Sequence, residues 1–108
     1  MNEEDDIIKN LHKTKIGYEF NLRGIPTKIE IRIDKIKRTK KAVFSQSHFI
    51  HSPEQYNSYD TSHPWSRDEQ EALNSALAGF RRFYKMAVDK GHKPDDSWLI
   101  LNTKFMWY

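Results

Sequence analysis

Five positive charges fall within the seven residues 35–41: Lys35, Lys37, Arg38, Lys40 and Lys41. Cations at this density on a link between two strands can reach the phosphates of a polyanion, because each one that neutralises a phosphate releases condensed counterions. Arg23, Lys28 and Arg32 precede them on outward strand positions and would extend the footprint. The segment belongs to a wider asymmetry, since residues 7–50 hold eleven Lys and Arg against three acids while the whole chain carries a net charge of only +3. This pattern points to nucleic acid or a nucleoprotein complex as the partner. The same lysines could serve as a solvated edge that stops strands from pairing with other chains.

A second group lies in 51–65, a polar stretch with no aliphatic residue. Tyr56, Tyr59 and Trp65 are interleaved there with Asn57, Ser58, Asp60 and His63, the composition of an adaptable binding loop in which rings supply area and small polar groups supply hydrogen bonds. Trp107 and Tyr108 close the chain, where polar residues are more usual. Buried, these rings cover the sheet. Exposed, they form a patch that implies a protein partner or a homo-oligomer such as a homodimer.

Acid–base and metal chemistry have less to rest on. Ser45, His48 and Asp60 supply the residue types of a hydrolase, and His48 or His63 those of a histidine-dependent ribonuclease, but no motif spacing singles them out, and no catalytic residue is assigned. His48 and His51 lie three apart, so on one strand they face opposite sides and build no metal site. The four glycines are isolated and make no phosphate-binding loop. No cofactor or metal is expected.

The elements that must position these residues are legible from periodicity. The strongest signal is a helix over 66–91, with Ala72, Leu73, Ala76, Leu77, Phe80, Phe83, Tyr84, Ala87 and Val88 in one apolar stripe. Ser66 and Glu69 fit a capping box, and Gly91 fits a left-handed C-terminal cap. Ile16, Tyr18, Phe20 and Leu22 alternate with polar residues, as do Thr27, Ile29, Ile31 and Ile33, so two strands flank a turn at Gly24-Ile25-Pro26. A third strand spans 42–50, with its alternation interrupted where Val43 meets Phe44 and Phe49 meets Ile50. Ile7, Ile8 and Leu11 suggest a short helix, or an arm, over 1–13. Residues 97–107 read as a final strand, although a helix starting near Ser97 also fits.

These elements make one domain of α+β class: an antiparallel sheet of three to four strands packed against one long helix, with a short N-terminal helix. Aromatic residues make up 13% of the chain and bring enough buried area for a folded core. The absence of cysteine fits a reducing, cytoplasmic setting. No apolar run approaches membrane-spanning length, and no membrane partner is expected.

The order helix, three strands, helix resembles that of double-stranded-RNA-binding domains. Those begin their second helix with a lysine-rich run, where this chain has Arg67-Asp68-Glu69-Gln70-Glu71, which is acidic. Three strands followed by a helix are similar to the phage-integrase arm-binding domain, whose sheet enters the major groove and whose likeness implies basic strands facing DNA. A small, cysteine-free chain without a catalytic signature also resembles phage-encoded inhibitors of the anti-CRISPR type. The leading expectation is a non-enzymatic binding protein for nucleic acid or a nucleoprotein complex. The alternative is a protein-directed module or inhibitor acting through the aromatic loop and C-terminus.

Overall fold

The structure is a computed structural model and describes residues 7–36, 38, 41–55 and 65–105, with Trp65 described by its backbone alone. Its elements run β1 (Ile8–Lys13), β2 (Gly17–Leu22), β3 (Ile29–Ile36), β4 (Lys41–Gln46), β5 (His48–Ile50), β6 (Trp65–Ser66), α1 (Glu69–Asp89) and β7 (Leu99–Leu101), with a 3-10 turn at Asp96–Trp98 leading into β7. Strands β1 to β4 form a four-stranded antiparallel meander, which β6 extends by two residue pairs along β4. A second, two-stranded sheet pairs β5 with β7. The class is α+β, as expected. No helix among the described residues is long and apolar enough to cross a membrane.

The alternation of β2 and β3 and the stripe of α1 meet in one core. Register places Tyr18 opposite Ile31, Phe20 opposite Ile29 and Ile33 opposite Phe44, so these side chains share the sheet face that α1 covers. All nine residues of the helical stripe lie in this core or pack against it. Phe20 and Phe80 meet edge to face with ring centroids 5.4 Å apart, the geometry favoured by the aromatic quadrupole. Each such side chain removed from water contributes about 1.5–3 kcal/mol.

The helix begins later than expected. Ser66 is held in β6 opposite Ala42, so the cap moves to Asp68, whose Oδ1 accepts the Glu71 backbone N–H at 2.9 Å. Glu71 reaches back in turn, accepting the Arg67 N–H at 3.2 Å. The reciprocal logic of a capping box survives, two residues further on. At the other end Gly91 has φ +90°, and the Gly91 and His92 N–H groups donate to Val88 and Ala87 carbonyls at 2.9 and 3.1 Å. This is a Schellman closure at the expected glycine.

Three segments depart from the periodicity. Within 1–13, residues Ile8–Lys13 form a strand, not a helix, because pairing with β2 supplies the backbone hydrogen bonds that a short isolated helix would have to sustain alone. Residues 1–6 lie outside the described residues. The third strand, expected over 42–50, is cut at Ser47. This buried residue donates its N–H to Glu30 O and accepts the Glu30 N–H on Oγ, both at 2.8 Å, while its carbonyl accepts the Asn102 N–H at 2.8 Å. The chain therefore leaves one sheet for the other with its polar groups paired. Of the final strand expected over 97–107, Leu99–Leu101 form β7 and residues 102–105 do not continue it, while 106–107 lie outside the described residues. Trp98 is drawn into the core against Tyr84, 5.6 Å between centroids, and Asn102 turns away to donate its Nδ2 to Gln46 O at 2.9 Å.

Candidate functional site

Strands β3 and β4 pair as far as Ile36 with Lys41, so the charges of 35–41 collect at one end of a hairpin. Arg38 is exposed in the connection and Lys41 is exposed at the first position of β4. Lys35 stands opposite Ala42 with a side chain 71% exposed, its Nζ 4.0 Å from Glu69 Oε1. Lys37 and Lys40 fall outside the described residues. Ile36, also exposed, places an apolar surface beside the cations.

The sheet face turned away from α1 is not uniformly basic. Glu19, Glu30 and Asp34 lie on it, and the strand cations are matched to them. Lys28 Nζ is 3.3 Å from Glu19 Oε1, and Arg32 Nε is 3.0 Å from Asp34 Oδ2. Arg23 sits apart, at the β2–β3 turn, with its guanidinium carbon 5.9 Å from the centre of the Tyr84 ring and its carbonyl accepting the Tyr84 hydroxyl at 2.7 Å. The structure thus gathers Lys35, Arg38 and Lys41 at the hairpin end and disperses Arg23, Lys28 and Arg32 among other partners.

A cluster that no sequence motif marks arises from a β-bulge. Lys9 pairs with Asn21 and His12 with Glu19, so Asn10 and Leu11 together oppose only Phe20. Asn10 takes φ +57°, a left-handed conformation that asparagine tolerates better than most residues. The extra residue reverses the facing of the remainder of β1. His12 comes onto the open face, where Nε2 lies 3.0 Å from Glu19 Oε1 and Nδ1 lies 2.8 Å from Asn10 O. Together with Asn10, Asn21, Pro26 and Lys28, the pair borders an open depression of about 310 Å³. The only signal in the sequence is an asparagine where a strand alternation slips.

The same reversal sends Lys13 to the helix side, where Nζ lies 3.2 Å from Glu69 Oε2 and the Tyr18 hydroxyl donates to that oxygen at 3.0 Å. The Lys13 ammonium first, and the Tyr18 hydroxyl next, hold the Glu69 carboxyl below the usual carboxylate range. Burial, then the neighbouring carboxylate, raise the Tyr18 phenol. The acidic first turn of α1 thereby fastens the helix to β1, β2 and β3.

Of the aromatic loop, Tyr56, Tyr59 and His63 lie outside the described residues, as do Trp107 and Tyr108. The Trp65 backbone pairs with Val43. The start of the loop is well anchored: Ser52 Oγ donates to Phe83 O at 3.1 Å, and the Ser52 N–H donates to Gln55 Oε1 at 2.7 Å. His48 meets Ser47, not Ser45, with its Nδ1 2.8 Å from Ser47 Oγ, and burial pushes its imidazole down from the usual histidine range. His51 Nε2 lies 3.3 Å from Gln55 O. Among the described residues, no three His, Asp or Glu side chains converge as metal ligands. Comparison of the chain with protein-family models, curated proteins and solved structures finds no match.

Proposed function

We propose that this chain is a small α+β binding protein that engages nucleic acid or a nucleoprotein complex through the end of the β3–β4 hairpin, without catalysing a reaction. The observation that carries this reading is the gathering of Lys35, Arg38 and Lys41 around the last paired residues of the hairpin, each side chain exposed. The carboxylates beside Lys28 and Arg32 leave the sheet face close to neutral, whereas Lys35, Arg38 and Lys41 put three cations together at the hairpin end, so the contact is proposed there. The cysteine-free composition suits a cytoplasmic setting.

Fluorescence anisotropy with single- and double-stranded DNA and RNA across a salt series tests the proposal. Binding should weaken steeply with salt, and Arg38→Ala should reduce the log–log slope by about 1, as expected for one lost phosphate contact. Absence of salt-sensitive binding at low ionic strength would remove the direct nucleic-acid form of the reading.

A protein-directed role, including that of an inhibitor, draws support from Ile100 and Leu101, which are 41% and 51% exposed on β7 near the C-terminal end. Under this second reading, a partner captured from host cells stays bound after nuclease treatment, and Leu101→Asp releases it.

A further inference from the structure

Helix α1 carries a second concentration of cations, far in sequence from the hairpin. Ala78, Arg81, Arg82 and Lys85 lie three or four residues apart in overlapping pairs, and so form one patch on the flank away from the apolar stripe. The short Ala78 side chain leaves room between the longer ones, and the four residues border a depression of about 190 Å³. No carboxylate is among its described lining residues. Among the described residues, no carboxylate lies within 4.0 Å of the charged groups of Arg81, Arg82 or Lys85, so the charge of the patch is not neutralised by a neighbouring acid.

A second observation is independent of this charge count. The Nε of Arg81 is shielded from solvent and has no acceptor. Buried donors are nearly always paired, and an orphaned one costs about 1–3 kcal/mol, so an acceptor brought to Arg81 would relieve that cost. Arg81 borders the depression with Arg82 and Lys85, which places a guanidinium that has an unpaired donor and two further positive charges around one open volume. An oxyanion answers both needs, accepting from the guanidinium and relieving the repulsion among the cations.

We propose that Arg81, Arg82 and Lys85 form a binding site for a phosphate group. The planar guanidinium of Arg81 is the recognition element, and Arg82 and Lys85, the next residue and one turn further along α1, add charge. The group belongs to free phosphate, to a phosphomonoester, or to a nucleic-acid backbone, all of which present the same oxygens. The site does not depend on the hairpin contact and lies on a different element.

The test follows the arginine Nε–Hε signals by two-dimensional NMR while inorganic phosphate is titrated against sodium chloride at matched ionic strength. The Arg81 signal should shift saturably with phosphate and not with chloride. Arg81→Lys retains the charge but removes the Nε donor, and it should weaken phosphate binding about tenfold or more, whereas Lys104→Ala, an exposed cation outside both proposed contacts, should leave it unchanged. Circular dichroism of the Arg81→Lys protein checks that the fold is kept. Equal responses to the two salts, or undiminished binding by Arg81→Lys, would overturn the site. A shift produced by an oligonucleotide but not by phosphate would overturn it as well, since the helix would then be a diffuse polyanion surface. Phosphoserine and an oligonucleotide, each able to displace inorganic phosphate in competition, identify which bearers of the group the site admits.

Discussion

Asn10 donates its Nδ2 to Asn21 Oδ1 at 2.6 Å, across the point where β1 holds one residue more than β2. Asn21 donates its own amide to the carbonyls of Leu22 and Ile25, both at 3.3 Å. The pair therefore ties the bulge to the β2–β3 turn. Because side chains alternate along a strand, one inserted residue decides that His12 meets Glu19 and Lys13 meets Glu69, where an unbroken strand would exchange their faces.

Asn10→Ala should destabilise the protein by about 1–2 kcal/mol, because alanine bears the left-handed penalty that asparagine offsets locally. Asn10→Gly keeps the conformational freedom and should retain most of the stability. Urea unfolding of both variants separates backbone strain from the lost side-chain bond. Equal losses would assign the effect to the bond.

Gly17→Ala should be among the most damaging single changes. A Cβ at this position would overlap the carbonyl oxygen of Ile31 on the facing strand, and the backbone there cannot yield without disturbing the β2–β3 pairing. A loss of about 3 kcal/mol or a failure to fold is expected, measured by thermal unfolding and by the yield of soluble protein.

Glu69 makes stability depend on acid. Its carboxyl titrates lower in the folded chain than in the unfolded one, so its contribution is complete above the ordinary carboxylate range and is lost as pH falls through the lowered folded value. Glu69→Gln should cost about 1 kcal/mol at neutral pH and flatten that part of the stability curve. Chemical denaturation repeated from neutral pH into the acid range gives the comparison, and an unchanged slope would count against the Lys13–Glu69–Tyr18 linkage.

Ser47 and His48 make a similar statement nearer neutrality. The His48 ring titrates lower when folded, so its share of stability is present above the ordinary histidine value and declines as pH drops through the folded one. Ser47→Ala strips the Glu30 N–H of its acceptor and should cost about 1–3 kcal/mol, with a drop in hydrogen-exchange protection at Glu30. His48→Gln should remove the pH dependence in this window while retaining a polar group at the corner.

The amino-acid sequence by itself determined the elements whose burial repeats regularly. The stripe from Ala72 to Val88 and the alternation through Ile29 and Ile31 are local patterns, and a helix or strand that buries such a pattern has little freedom in how to do so. Gly91 was equally legible, since a closing left-handed residue is a local requirement. Where pairing with a distant segment outweighed local preference, only the tertiary structure decided. Ile7 and Ile8 are spaced for a helix but are recruited by β2, and Ser66 is taken from the helix cap by β4. Ser47 cuts a strand because Glu30 and Asn102 both hold it. The same holds for the charges: the sequence concentrated the cations, and the fold determined which of them face a carboxylate. Lys28 and Arg32 met Glu19 and Asp34 on the sheet, while Arg81, Arg82 and Lys85 were left together on the helix flank, because charge neutralisation depends on neighbours in space and not on neighbours in the chain.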